Sequence, residues 1–185
     1  MKKIITIALT VMMWTAFIYV PAVSFALEEE DGYQQELSTQ REQVVEAAQS
    51  QAGYLKVGED DIYTLKAREL GYSAEKGWCG RFVWWCFYTT DNTSAYYNGM
   101  FTGSPRKVME WAEENDLFID QSEAQPGDII IKYYDEDSPH AGLIEKVDDD
   151  GTLHTLERNH YKCEDGVYRM TRAEVDYIIR PQYDE

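Results

Sequence analysis

The sequence predicts an α+β domain with N-terminal helices packed on an antiparallel β-sheet. Three observations carry this reading. Apolar residues recur at helical spacing in the segments up to about residue 115. Beyond Pro126-Gly127 the period shortens to that of strands, in runs of five to seven residues. Asp149-Asp150-Gly151 is a hairpin turn that joins two of those runs antiparallel. No internal repeat, low-complexity linker or second module breaks this order.

Residues 1–26 stand apart from the fold. Lys2 and Lys3 precede an almost wholly apolar run from Ile4 to Val20, and Ser24 and Ala26 place small residues before a cut ahead of Leu27. That is the order of parts in a secretory signal peptide. A retained anchor is the competing reading, since a spanning helix needs about 20 apolar residues. The small-x-small site favours cleavage, leaving no stable membrane insertion afterwards. Residues 27–37 are an acidic lead-in, and residues 38–185 are expected to form one domain.

Within that domain the first helix runs from Ser38 to Gln51. Ser38 is its cap, Glu42 lies near its first turn, and Val44, Val45, Ala47 and Ala48 form its apolar strip. Asp60 or Asp61 caps a second helix through Leu70, with Ile62, Leu65 and Leu70 expected to face inward and Gly71 ending it. From Cys79 to Thr90, Phe82, Val83, Cys86 and Phe87 mark a buried helix. A fourth begins at Pro105, a favoured first helical residue, and runs to Asn115. Strands follow at 128–134, 142–148, 152–157, 167–171 and 176–181.

Composition narrows the function. The chain has 34 acidic and 17 basic side chains, a formal charge of −17. Without Lys2 and Lys3 the charge is −19. This balance argues against nucleic-acid binding, where neutralised phosphates supply most of the affinity, and against docking on anionic membranes. Fourteen tyrosines and five tryptophans are foreign to a disordered chain. The cysteines are Cys79, Cys86 and Cys163. An odd number leaves at least one thiol unpaired in the monomer. There is no Cys-x-x-Cys, so no structural zinc is expected, and no cofactor.

Cysteine catalysis needs a thiolate, a base and a group that orients the base. Cys79 stands at the predicted start of a buried helix, where backbone N–H groups and the helix dipole favour its anion. The same N–H groups suit a developing oxyanion. Cys86, two turns deeper, reads as a packed core thiol. His140 heads the strand after Pro139 and is placed to meet a helix N-terminus. His154, inside an alternating strand, and His160, in a polar loop, compete but read as surface or satisfied residues. With the hairpin centred on 149–151, residue 143 pairs with about 157, which brings Glu157 toward His140, with Asn159 just beyond. Trp78, beside the thiol, is a candidate substrate contact, whereas Trp84 and Trp85 are expected to pack against the sheet. The acidic runs at 59–61, 135–137 and 148–150 lack the spacing of a calcium loop and read as solvated turns.

Trp-Cys-Gly-Arg-Phe-Val-Trp-Trp-Cys at 78–86 resembles the Trp-Cys-x-x-Phe-Val-x-Trp-Cys signature of the CHAP family, the cysteine, histidine-dependent amidohydrolase/peptidases. Pro126-Gly127-Asp128-Ile129-Ile130, Pro139-His140-Ala141-Gly142-Leu143-Ile144-Glu145 and Thr155-Leu156-Glu157-Arg158-Asn159 resemble further motifs of that family, in the same order. The likeness covers roughly residues 44–181. It implies a papain-like fold, with Cys79 as nucleophile, His140 as base, Glu157 as its orienting residue and Asn159 as a nearby polar group. Ala141 stands where the family usually has valine. Arg158 stands where it has glycine, and is expected to alter the turn or to pair with Glu157.

The expected function is a secreted hydrolase in the extracellular or cell-wall space of a bacterium. It cleaves peptidoglycan as an N-acetylmuramoyl-L-alanine amidase or a peptide endopeptidase. A thiol amidase for soluble peptides and a non-catalytic interaction module on the same fold are the alternatives.

Overall fold

The computed structural model describes residues 38–56, 60–73, 77–158 and 165–184. The signal segment, the acidic lead-in, Asn159, His160 and Cys163 lie outside the described residues.

Helix α1 (Gln40–Ser50) is capped by Thr39 rather than Ser38. The Thr39 hydroxyl accepts from the Glu42 N–H while the Glu42 carboxylate accepts from the Thr39 N–H. Such a box needs its acid three residues after the cap, which selects Thr39. Helix α2 (Ile62–Glu69) starts at Asp61, whose Oδ1 accepts from the Thr64 N–H at 2.6 Å. Its inward face is not the expected one. Tyr63, Thr64 and Ala67 are buried, and Leu65 is 54% exposed, with Ile62 and Leu70 also at the surface. Two tertiary contacts set the rotation of this short helix: Asp61 pairs with buried Arg158 at 2.5 Å, and the Tyr63 ring packs edge-on against Tyr54, Phe82 and Trp85.

Helix α3 (Trp78–Thr89) is the central element, with Phe82, Val83, Trp84, Cys86 and Phe87 buried. Helix α4 (Pro105–Glu114), capped by Ser104, turns Val108, Trp111 and Ala112 inward. The strands are β1 (Phe118–Ile119), β2 (Ile129–Tyr133), β3 (Pro139–Val147), β4 (Leu153–Arg158), β5 (Val167–Arg172) and β6 (Tyr177–Ile179). They form one antiparallel sheet in the order β1-β6-β2-β3-β4-β5. Two-residue β1 is too short to leave a periodic trace in sequence. Ile129, Ile131, Ala141, Leu143 and Leu156 share a core with the helices, while Ile130, Ile144, Leu153 and Ile178 form a smaller cluster. The assignment to α+β therefore stands.

The β3–β4 register differs from expectation by one residue. Val147 pairs with Leu153 and Lys146 with His154, as a hairpin centred on residue 150 requires. The register then shifts between Ile144 and Lys146, so that Leu143 faces Leu156 and Gly142 faces Glu157. The extra residue is Glu145, a β-bulge. Since a one-residue slip moves a side chain to the opposite face, the bulge puts Glu157 on the face of Gly142 and His140 instead of the helix-packed face of Leu143. Among the described residues, no helix is long and apolar enough to cross a membrane.

Candidate active site

Cys79 is the second residue of α3 and is partly buried. Gly77, at the helix N-cap, has φ of +80°, and a Cβ there would lie 2.0 Å from the Gly103 carbonyl oxygen. Only glycine fits this approach. Having no side chain, Gly77 makes no side-chain cap, so the N-terminus of α3 meets the thiol uncapped. The sulfur accepts from the N–H of Gly80 and from that of Ala141, and it hydrogen-bonds the His140 ring.

Ala141 is able to do this because the sheet opens there. The β3–β4 ladder ends at the Gly142–Glu157 pair. Pro139, His140 and Ala141 continue to pair with β2 but have no partner in β4. The thiol of α3 thus meets β3 where its neighbour has parted from it.

His140 is 6% exposed. Its Nε2 lies 3.0 Å from Glu157 Oε2, which leaves Nδ1 for the thiol. Glu157 is fully buried and crosses the space above Gly142, where a Cβ would come within 2.5 Å of the glutamate Cγ. Its carboxylate accepts from the Thr155 hydroxyl and from both Nε and Nη2 of Arg172, a bidentate fork. The Arg172 Nη2 also donates to the Tyr134 hydroxyl at 2.8 Å, and the Tyr134 ring packs at a tilt on His140.

The electrostatics follow from these contacts. Burial opposes charge on the Glu157 carboxyl, but hydrogen bonds from Arg172, His140 and Thr155 outweigh it and hold the group down at about 2. Burial likewise opposes an imidazolium, but hydrogen bonds to Cys79 and Glu157 push His140 up to about 9. The Cys79 thiol is lowered although burial pulls the other way, because the His140 hydrogen bond and charge and the two backbone N–H groups favour the thiolate. Both shifts run in the direction that favours a thiolate–imidazolium pair.

The structure brings together Cys79, His140 and Glu157, with Trp78 44% exposed next to the thiol. Asn159 lies outside the described residues. His154 sits at the far end of the sheet, bonded to Asp148 at 2.6 Å. Arg158 does not pair with Glu157. Successive strand residues point to opposite faces, and its buried guanidinium pairs with Asp61 and with Asp165 at 3.1 Å. Trp84 packs against Tyr72, Tyr88 and Phe101 in an aromatic cluster, and Trp85 against Tyr63. Cys86 is a fully buried core thiol whose pKa burial drives well up. Among the described residues no cluster of three or more His, Cys, Asp or Glu could hold a metal ion.

Arg172 and Tyr134 had no place in the site as read from sequence, and Thr155 had one only as part of the Thr155-Leu156-Glu157-Arg158-Asn159 motif. Thr155 was open to discovery, being two residues from Glu157 on the same face. Arg172 left no local signal: it pairs with Leu153 and reaches diagonally across β4 to Glu157.

A helical thiol, an imidazole on the adjoining strand and a buried carboxylate behind it stand in hydrogen-bonded succession on an α+β frame. Residues 70–159 match the family model of the CHAP domain. Such domains are in general hydrolases of the amidase/peptidase type, with peptidoglycan-related substrates. No curated protein matches the chain.

Proposed function

We propose that this protein is an exported cysteine hydrolase that cuts amide bonds in bacterial peptidoglycan, as an N-acetylmuramoyl-L-alanine amidase or a peptide endopeptidase. The observation that carries the reading is the continuous hydrogen-bonded relay from Cys79 through His140 to Glu157 at the uncapped N-terminus of α3. A packed structural thiol has no use for a charged imidazole, whereas a nucleophile does.

In this mechanism the Cys79 thiolate attacks the amide carbon, and the carbonyl oxygen takes up the negative charge near the uncapped N-terminus of α3. Protonated His140 gives its proton to the departing amine as the C–N bond breaks, leaving an acyl-enzyme. Water then attacks the thioester. His140 accepts a proton from that water, the acid leaves, and the thiolate–imidazolium pair is restored. Glu157 holds the ring at Nε2 throughout, and exposed Trp78 offers an aromatic wall to the substrate. Export rests on the Lys2-Lys3, apolar and Ser24-x-Ala26 order of the first 26 residues.

The test is digestion of purified peptidoglycan by residues 27–185 beside Cys79→Ala, with products identified by mass spectrometry. New termini that appear only with the intact thiol support the hydrolase, and their chemistry separates amidase from endopeptidase. If several wall types stay uncut and Cys79 resists alkylation at neutral pH, the interaction-module alternative takes over.

A further inference from the structure

We propose that Arg172 is a positioning residue of the site, whose guanidinium fork clamps Glu157 behind His140 and supplies the fourth charge that lets a thiolate persist there. The inference rests on the Cys79–His140–Glu157 reading above and extends it to β5.

Two features of the geometry carry it. The fork is bidentate, with Nε on Oε1 and Nη2 on Oε2 of Glu157, each at 2.5 Å. Bidentate pairing fixes direction as well as charge, so one Glu157 oxygen is held toward His140 while Thr155 occupies the other. Arg172 is in turn braced by the Tyr134 hydroxyl, and Tyr134 also packs on the His140 ring. A single side chain therefore orients both the carboxylate and the residue that borders the imidazole.

The second feature is charge balance. Glu157 is fully buried and His140 nearly so. Thiolate, imidazolium and carboxylate alone leave one net negative charge in a desolvated pocket, and the least costly relief is protonation of Cys79. With Arg172 the four groups sum to zero. Two further cations lie near the cluster. Buried Arg81, two residues along α3 from Cys79, interacts with Asp61 more strongly than with the Cys79 thiolate. Lys132, the β2 residue paired with His140 in the sheet, forms an ion pair with Asp176 at 3.2 Å.

The experiment is the rate of Cys79 alkylation by iodoacetamide against pH in the full chain, read by peptide mass mapping, with folding checked by circular dichroism. In Arg172→Met the acid limb of the profile is expected to move up by about one pH unit or more. In Arg172→Lys, which keeps the charge but not the fork, the limb should stay near the wild-type position. Peptidoglycan cleavage by that variant should fall about tenfold or more, because Glu157 is no longer held in one direction. A folded Arg172→Met with an unmoved limb overturns the charge role. Should that variant not fold, Arg172→Lys decides, and wild-type cleavage in it overturns the clamp. A wild-type profile whose acid limb lies no lower than a free thiol's rejects the parent relay instead, so the two failures are distinguishable.

Discussion

Cys79 and Cys86 sit on the same helix, two turns apart and both against the sheet, yet their surroundings push them in opposite directions. At the uncapped N-terminus, Cys79 meets two backbone N–H groups and a protonated imidazole, and its thiol is lowered. Deeper in α3, Cys86 is enclosed by core side chains, and burial raises its thiol well above the ordinary value. The residue type is identical; the difference lies in backbone groups and in charge brought from other strands. Reactivity here belongs to the helix end and the sheet opening rather than to cysteine as such.

That contrast is open to breakage at several points. The largest effect expected is on chemistry. Cys79→Ala should remove peptidoglycan cleavage by about three orders of magnitude or more, while Cys86→Ala should retain it within about twofold and lose only stability, roughly 1–3 kcal/mol. Initial rates and thermal melts on the two variants measure this, and comparable loss of rate in folded Cys86→Ala would erase the distinction. Labelling should separate the thiols next. At neutral pH Cys79 should be alkylated about a hundredfold or more faster than Cys86, which must await local opening of the core. Comparable mapped rates would show that the helix end confers nothing.

The comparison is sharpened by loosening the relay without touching either thiol. Gly142→Ala places a methyl where Glu157 crosses, 2.5 Å from its Cγ. Displacing the carboxylate from His140 should cut cleavage about tenfold to a hundredfold. The Cys79 alkylation profile should shift upward while Cys86 is unaffected. Full activity in this variant would mean that Glu157 is not needed where it lies.

The smallest effect expected is on stability. The folded pKa of His140, about 9, exceeds its unfolded value near 6.5, so its contribution is complete below about pH 6.5 and fades as pH rises through about 9. Glu157, held at about 2 against about 4.3 unfolded, contributes above about pH 4.3 and fades as pH falls through about 2. The lowered Cys79 thiol adds stability over the same alkaline range and offsets part of the His140 loss. Melting temperature should therefore decline by only about a degree or two between about pH 7 and 10 in the wild type. In His140→Gln this alkaline decline should be smaller. An equal decline in both would place its origin elsewhere.

Much of this molecule is written in local pattern. The 3.6 and 2.0 periods mark four helices and five of the six strands, Asp61 and Pro105 mark helix starts, and residues 149–151 mark the hairpin, because these signals act within a few residues. The thiol and its imidazole partner were legible for the same reason: one begins a buried helix and the other heads a strand. The orientation of α2 was not, because Arg158 on β4 and the packing around Tyr63 override the apparent apolar stripe of Ile62, Leu65 and Leu70.

By itself, the sequence determined the element order, the chemistry-bearing residue types and the acidic charge. Tertiary structure decided which side of the sheet Glu157 faces, through the bulge at Glu145, and which cation holds it, through a diagonal reach from Arg172. Bulges and cross-strand diagonals depend on how strands meet, and a one-dimensional period carries no record of that meeting.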